Sequence, residues 1–150
     1  ILLEISPELA KEAQKKLPGL QIVIADGEHM PFAKQSLAVT VCNSVIEHVQ
    51  QPDDLASEIQ RVSQSFFLQT PNGKFPVETH SFVGIPFYNL IPFESWKRFV
   101  CKLFGANYQY VASVTYIPEV NLRRMFPNAI FEYERFLGLR KSYYVYYNKE

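Results

Sequence analysis

Residues 1–27 read ILLEISPELAKEAQKKLPGLQIVIADG, and this stretch decides the fold. Ile1 to Leu3 is a short apolar run of strand type. Ser6-Pro7-Glu8 is a helix start, with Ser as N-cap, Pro at the first helical position and Glu in the electropositive first turn. The helix runs to about Lys16, where Lys15 and Lys16 suit its negative end, and it stops at Leu17-Pro18-Gly19. Leu20 to Ile24 is a second apolar run, closed by Asp26-Gly27. Strand, helix and strand in this span form a βαβ unit, whose right-handed crossover leaves the two strands parallel.

The same alternation continues outward. Val39 to Cys42 reads as a third strand, and Asp53 to Val62 as a helix with Leu55, Ile59 and Val62 on one face. Ser65 to Gln69 is a fourth strand. The fold class is therefore α/β, with a Rossmann-like, mostly parallel sheet. Beyond it, Lys74 to Pro92 is a long aromatic loop with three prolines, and Phe93 to Phe104 an amphipathic helix. Val120 to Met125 fits a short helix. Ala129 to Leu137 and Ser142 to Tyr147 fit two strands joined by Gly138 to Lys141, a late antiparallel hairpin closing the sheet.

The 150 residues suit a single domain with a buried core. Its two halves differ in character. Residues 1–74 carry six basic and nine acidic side chains and residues 75–150 the reverse, and all but three of the 22 aromatics lie in the second half. With 15 basic against 15 acidic groups overall, no electrostatic drive toward nucleic acid or a membrane surface is expected. No apolar run approaches the ~20 residues of a membrane span. Cys42 and Cys101 give neither a disulfide framework nor a zinc set, so a reducing, cytoplasmic setting is expected and no metal.

Ligands of open parallel sheets lie beyond the C-terminal ends of the strands. Here those ends carry Glu4, Asp26-Gly27, Asn43-Ser44 and Thr70-Pro71-Asn72. A strand-end carboxylate can accept from both hydroxyls of a ribose, and an Asp beside a Gly suits an exocyclic adenine amine. Taken singly, each is also an ordinary turn or helix cap. Together they line one crevice.

Three stretches then resemble a known family: Leu3-Glu4-Ile5-Ser6-Pro7-Glu8, Ala25-Asp26-Gly27-Glu28-His29-Met30-Pro31-Phe32, and Val41-Cys42-Asn43-Ser44-Val45-Ile46-Glu47-His48-Val49. They are similar to the class I S-adenosylmethionine-dependent methyltransferases, in particular the small-molecule, type 11-like group. Glu58-Ile59-Gln60-Arg61-Val62 looks like that family's helix before its fifth strand. The resemblance implies a sheet of order 3-2-1-4-5-7-6 whose last strand is antiparallel. It implies S-adenosylmethionine as cofactor and a small-molecule methyl acceptor as partner. Glu4 and the adjoining Ile5 would meet the ribose, Asp26 the adenine amine with Gly27 and Glu28 beside the ring, and Asn43 and Ser44 the methionine portion. Residues 1–74 would be the cofactor side and 75–150 the acceptor side.

Methyl transfer from a sulfonium is an in-line displacement that rests on alignment, with a base only where the acceptor must lose a proton. His48, past the third strand, and His80, in the aromatic loop, are the candidate bases; each also reads as a capping or loop histidine. The departures from the family are specific. No G-x-G-x-G occurs, the chain opens at the family's second strand, Ala38 stands where an Asp is usual, and Gln64-Ser65 replaces a Pro-Gly-Gly turn. The expectation is a truncated form with weak or no cofactor binding alone. The rival expectation is a non-catalytic remnant that self-associates through unpaired strand edges. A nicotinamide oxidoreductase shares the acidic strand end but not the Asp26-Gly27 and Pro31-Phe32 pattern.

Overall fold

The computed structural model describes residues 1–78, 85–88 and 91–149. β1 (Leu2–Glu4), α1 (Pro7–Lys16) and β2 (Ile22–Ile24) form the first βαβ unit, with Leu3 opposite Val23 in a parallel ladder. Ser6 caps α1 as its residue type requires: its Oγ accepts from the Leu9 N–H at 3.3 Å. β3 (Leu37–Asn43), α2 (Pro52–Val62) and β4 (Ser63–Pro71) form the second unit, again parallel, with Val41 opposite Phe67. Helix α2 buries Leu55, Ala56, Ile59 and Val62, the face that its apolar spacing specifies.

The last two strands are the expected hairpin, β7 (Ile130–Phe136) and β8 (Leu139–Tyr147). β8 lies between β4 and β7, antiparallel to both, with Leu68 opposite Val145. The strands therefore run β2-β1 and β3-β4-β8-β7 in two ladders. The first ladder matches the 3-2 part and the second the 4-5-7-6 part of the expected order 3-2-1-4-5-7-6, and no strand among the described residues stands for the 1. The core lies where α2 and α5 (Glu119–Met125) cover the larger ladder. Ile46, Ile59, Leu68, Leu122, Phe126 and Val145 are its most buried members.

Three boundaries differ from expectation, each for a local reason. The hairpin turn is Leu137-Gly138 rather than Gly138 to Lys141, because Phe136 pairs Leu139 and both turn residues take positive φ, 49° and 81°. The long aromatic loop contains a two-residue ladder, β5 (Val77–Glu78) with β6 (Ile85–Pro86). Between α3 (Glu94–Leu103) and α5 stands an unanticipated short helix, α4 (Tyr108–Ala112). Helices α3 and α4 share a small second core of Tyr88, Cys101 and Val111. The Gln64-Ser65 departure is absorbed without a loop, since β4 begins at Ser63, directly after α2.

Candidate functional site

Glu4 and Asp26 sit at the ends of neighbouring parallel strands, tied by the Ala25 N–H donating to the Glu4 carbonyl at 3.1 Å. Each carboxylate is set by one backbone N–H. Ser6 N–H donates to Glu4 Oε1 and Glu28 N–H to Asp26 Oδ1, both at 2.9 Å. Both side chains line a cavity of about 680 Å³ together with Ile5, Gly27 and Asn43. Its apolar walls come from β1, β3, α2 and the loop after β2, including Leu3, Leu55 and Met30. Gly27 stands against this wall: a Cβ there would lie 3.1 Å from Leu55 Cδ1.

The loop that carries Asp26 is stapled to α2. Glu58 Oε2 accepts the Met30 N–H at 2.6 Å, while Arg61 donates to the carbonyls of Phe32 at 2.7 Å and Met30 at 2.9 Å. Arg61 also grips Glu58 at 2.5 Å, and this hydrogen bond holds the Glu58 carboxyl below the usual range. The Glu-x-x-Arg spacing on α2 thus fixes the height of the Met30-Pro31-Phe32 segment.

Two residues expected at the cofactor face elsewhere. Glu28 is not part of the cavity wall; its Oε1 accepts the Gln51 N–H at 2.8 Å and so holds the approach to α2. Ser44, at φ 53°, donates its hydroxyl to Gln69 Oε1 at 2.7 Å and belongs to a shallower hollow beside β4. Glu47 is fully buried, with Thr70 Oγ1 donating to its Oε2 at 2.9 Å, so it ties the loop after β3 to β4. His48 is exposed on the same loop and lines neither this cavity nor the one beyond β4; His80 lies outside the described residues. Cys42 lines the cavity, but burial, reinforced by the nearby Glu47, pushes its thiol up to about 12, which leaves no thiolate for chemistry.

A second cavity, of about 840 Å³, opens past the C-terminal end of β4. It is framed by Asn72, Gly73 and Lys74 on one side and by Tyr88 of the aromatic loop with Glu94 and Lys97 of α3 on another. The sequence reading reached Asn72 as a strand end and Lys74 to Pro92 as an aromatic loop. As cavity residues it missed Lys74, Tyr116, Glu119 and Arg140, which are distant in sequence and meet only through the packing of α5 and the hairpin. One local signal was available in Gly73, where a Cβ would overlap Tyr116 at 2.6 Å.

Some of the groups that an adenosine-bearing cofactor needs stand at one end of the first cavity, which otherwise runs between β1 and β3. Two carboxylates each keep an oxygen beyond their backbone bond, and apolar side chains flank them. The sequence holds no glycine-rich turn to offer backbone N–H groups to a cofactor's amino-acid end. Among the described residues no cluster could hold a metal ion, and no helix is long and apolar enough to cross a membrane.

Comparison with known proteins agrees with the α/β architecture. Residues 1–65 match the family model described as methyltransferase domain. An uncharacterized protein of Methanocaldococcus jannaschii is 36% identical over 59 residues, 39% of this chain and 28% of the relative, so the match spans under a third of that protein's length. Among solved structures, a SAM-dependent methyltransferase of Thermotoga maritima superposes with TM-score 0.60 at 12% identity, covering 99% of this chain and 72% of that one. A SAM-dependent methyltransferase of Methanosarcina mazei does so with TM-score 0.58 at 9% identity, covering 96% and 78%. Residues 1–65 thus match the methyltransferase domain model, and the fold of the chain is that of the class I S-adenosylmethionine-dependent methyltransferases.

Proposed function

We propose that the chain serves methyl transfer from S-adenosylmethionine to a small-molecule acceptor, with residues 1–74 as the cofactor side and 75–150 as the acceptor side. The observation that carries this reading is the pairing of Glu4 and Asp26 at adjoining parallel strand ends, both facing one cavity. Glu4 takes the ribose hydroxyls and Asp26 the adenine amine, with Gly27 letting the ring approach the backbone. The cofactor supplies an electrophilic methyl group when bound. Asn43 faces the same cavity, toward the sulfonium end, and the chain's own contribution is alignment. His48 and His80 are the proposed bases for acceptors that must lose a proton, and a cytoplasmic setting belongs to the same reading.

The test is amide chemical-shift mapping with S-adenosylhomocysteine on the full chain. Perturbations are expected at Ile5, Gly27 and Asn43. Perturbations confined to the opposite end of the sheet, around Gln35 and Gln64, would refute the reading.

A second reading, self-association as a non-catalytic remnant, is favoured by one observation. The edges of β1 and β3 that face the cavity have no strand partner among the described residues, and Val39 and Val41 are exposed at 58% and 66%.

A further inference from the structure

The cavity beyond β4 has a charge arrangement that selects its ligand. Two carboxylates reach it, and both are already engaged. Glu94 accepts from Lys97 at 3.0 Å and from the Tyr108 hydroxyl, which hold its carboxyl below the usual range. Glu119 accepts from Tyr133 and Arg123 at 2.8 Å and from Arg140 at 3.0 Å. Those partners in turn occupy Arg123, Arg140 and Lys97. Lys74 alone among the cavity's cations has no ion pair among the described residues.

Lys74 is also rigidly launched. Its N–H donates to Asn72 Oδ1 at 3.0 Å, and that buried amide is held from two further sides. The Tyr143 hydroxyl donates to Asn72 Oδ1 at 2.9 Å, and Asn72 Nδ2 donates to the Arg140 carbonyl at 2.8 Å. The backbone of Lys74 is thus fixed, and the walls of the cavity that it borders are phenolic and apolar: Tyr88, Tyr108, Tyr116 and Tyr143 with Val111 and Ile117.

We propose that this cavity binds a small aromatic carboxylate, its ring against the tyrosines and its acid on Lys74. The proposal deepens the function proposed above by naming the acceptor class, and it rests on that reading only for the ligand's role as acceptor. A cationic ligand would have to displace Lys97 or Arg140 from an existing pair. A phosphate would want a guanidinium fork or a nest of backbone N–H groups, and the cavity's arginine is committed to Glu119. A single free ammonium over an aromatic floor matches a single negative charge on a planar body.

The experiment titrates the full chain with 4-hydroxybenzoate, its uncharged analogue 4-hydroxybenzamide, and tyramine, read by amide shifts without cofactor. The acid should bind about tenfold tighter than the amide, and the strongest shifts should fall on Gly73, Lys74 and Tyr143. Lys74→Gln should remove that preference while leaving amide binding unchanged. Gly73→Ala, which forces Tyr116 to move, should weaken acid and amide alike. Equal or tighter binding of the amide or tyramine, an unchanged preference in Lys74→Gln, or shifts that map elsewhere would overturn the proposal. Binding of the acid at this cavity that shuts S-adenosylhomocysteine out of the cavity at Glu4 and Asp26 would count against the acceptor role and leave the binding site standing.

Discussion

Arg61 shows how much one side chain carries. It closes two carbonyls of the Met30–Phe32 segment and one carboxylate, so Arg61→Ala strips three acceptors of their donor. Losing these bonds should lower stability, read as a shift of the chemical-denaturation midpoint to lower denaturant. Glu58 adds a pH dependence whose sign is fixed. Its folded-state pKa lies below the ordinary 4.5, because Arg61 bonds the charged form. The stabilisation is therefore complete above about pH 4.5 and is lost as pH falls through the folded value. Glu58→Gln should be less stable than the parent at pH 7, and the gap should narrow as melts are taken into the acid range. A gap that stays constant down to pH 3 would show that Glu58 does not sense Arg61 in this way. Both residues were visible in the sequence as part of a family-like helix, but their grip on the Met30 loop was not. That contact joins residues 28 and 31 positions apart, and no local pattern encodes it.

Local chemistry specified the regular elements. Ser6-Pro7 opened α1 where the structure opens it, and Leu55, Ile59 and Val62 face the core as their spacing requires. The hairpin shows where that legibility ends. Leu139-Arg140-Lys141 reads as a polar connection, yet β8 starts at Leu139, because a right-twisted hairpin favours a two-residue turn with both φ values positive. Pairing geometry outweighed composition there. Leu137 occupies a left-handed position that suits Asn or Gly, and it is 87% exposed, so its side chain returns little through packing. Leu137→Asn should stabilise the protein by about 0.5–1 kcal/mol, and Gly138→Ala should destabilise it by about 1 kcal/mol or more. Thermal melts of the two variants decide this, and shifts in the same direction would contradict the turn assignment. The pair β5–β6 and helix α4 escaped the sequence reading for a related reason. A two-residue ladder and a five-residue helix are too short for periodicity to mark them, and the surrounding packing determines them.

Across the whole molecule the two ladders divide the work. β2-β1 bears the acidic strand ends, while β3-β4-β8-β7 bears the core and, past β4, the tyrosine-walled cavity. The crevice was legible only in part: Glu4, Asp26-Gly27 and Asn43 share one cavity, but Ser44 and Asn72 open into two others, and the cavity at Asn72 is assembled from Lys74, Tyr116 and Arg140, which only tertiary packing unites. The facing edges of β1 and β3 predict concentration-dependent association in sedimentation velocity. Val41→Lys, which places a charge on that exposed edge, should suppress it; association equal in both proteins would show that the edge is not the contact. The most direct test of the central claim is calorimetric titration of the full chain with S-adenosylhomocysteine, beside Glu4→Ala and Asp26→Ala. With the strand-end carboxylates present and no glycine turn, the dissociation constant should exceed about 100 µM. Each substitution should weaken binding further by roughly 1–3 kcal/mol. Binding unmoved by both substitutions would contradict the account.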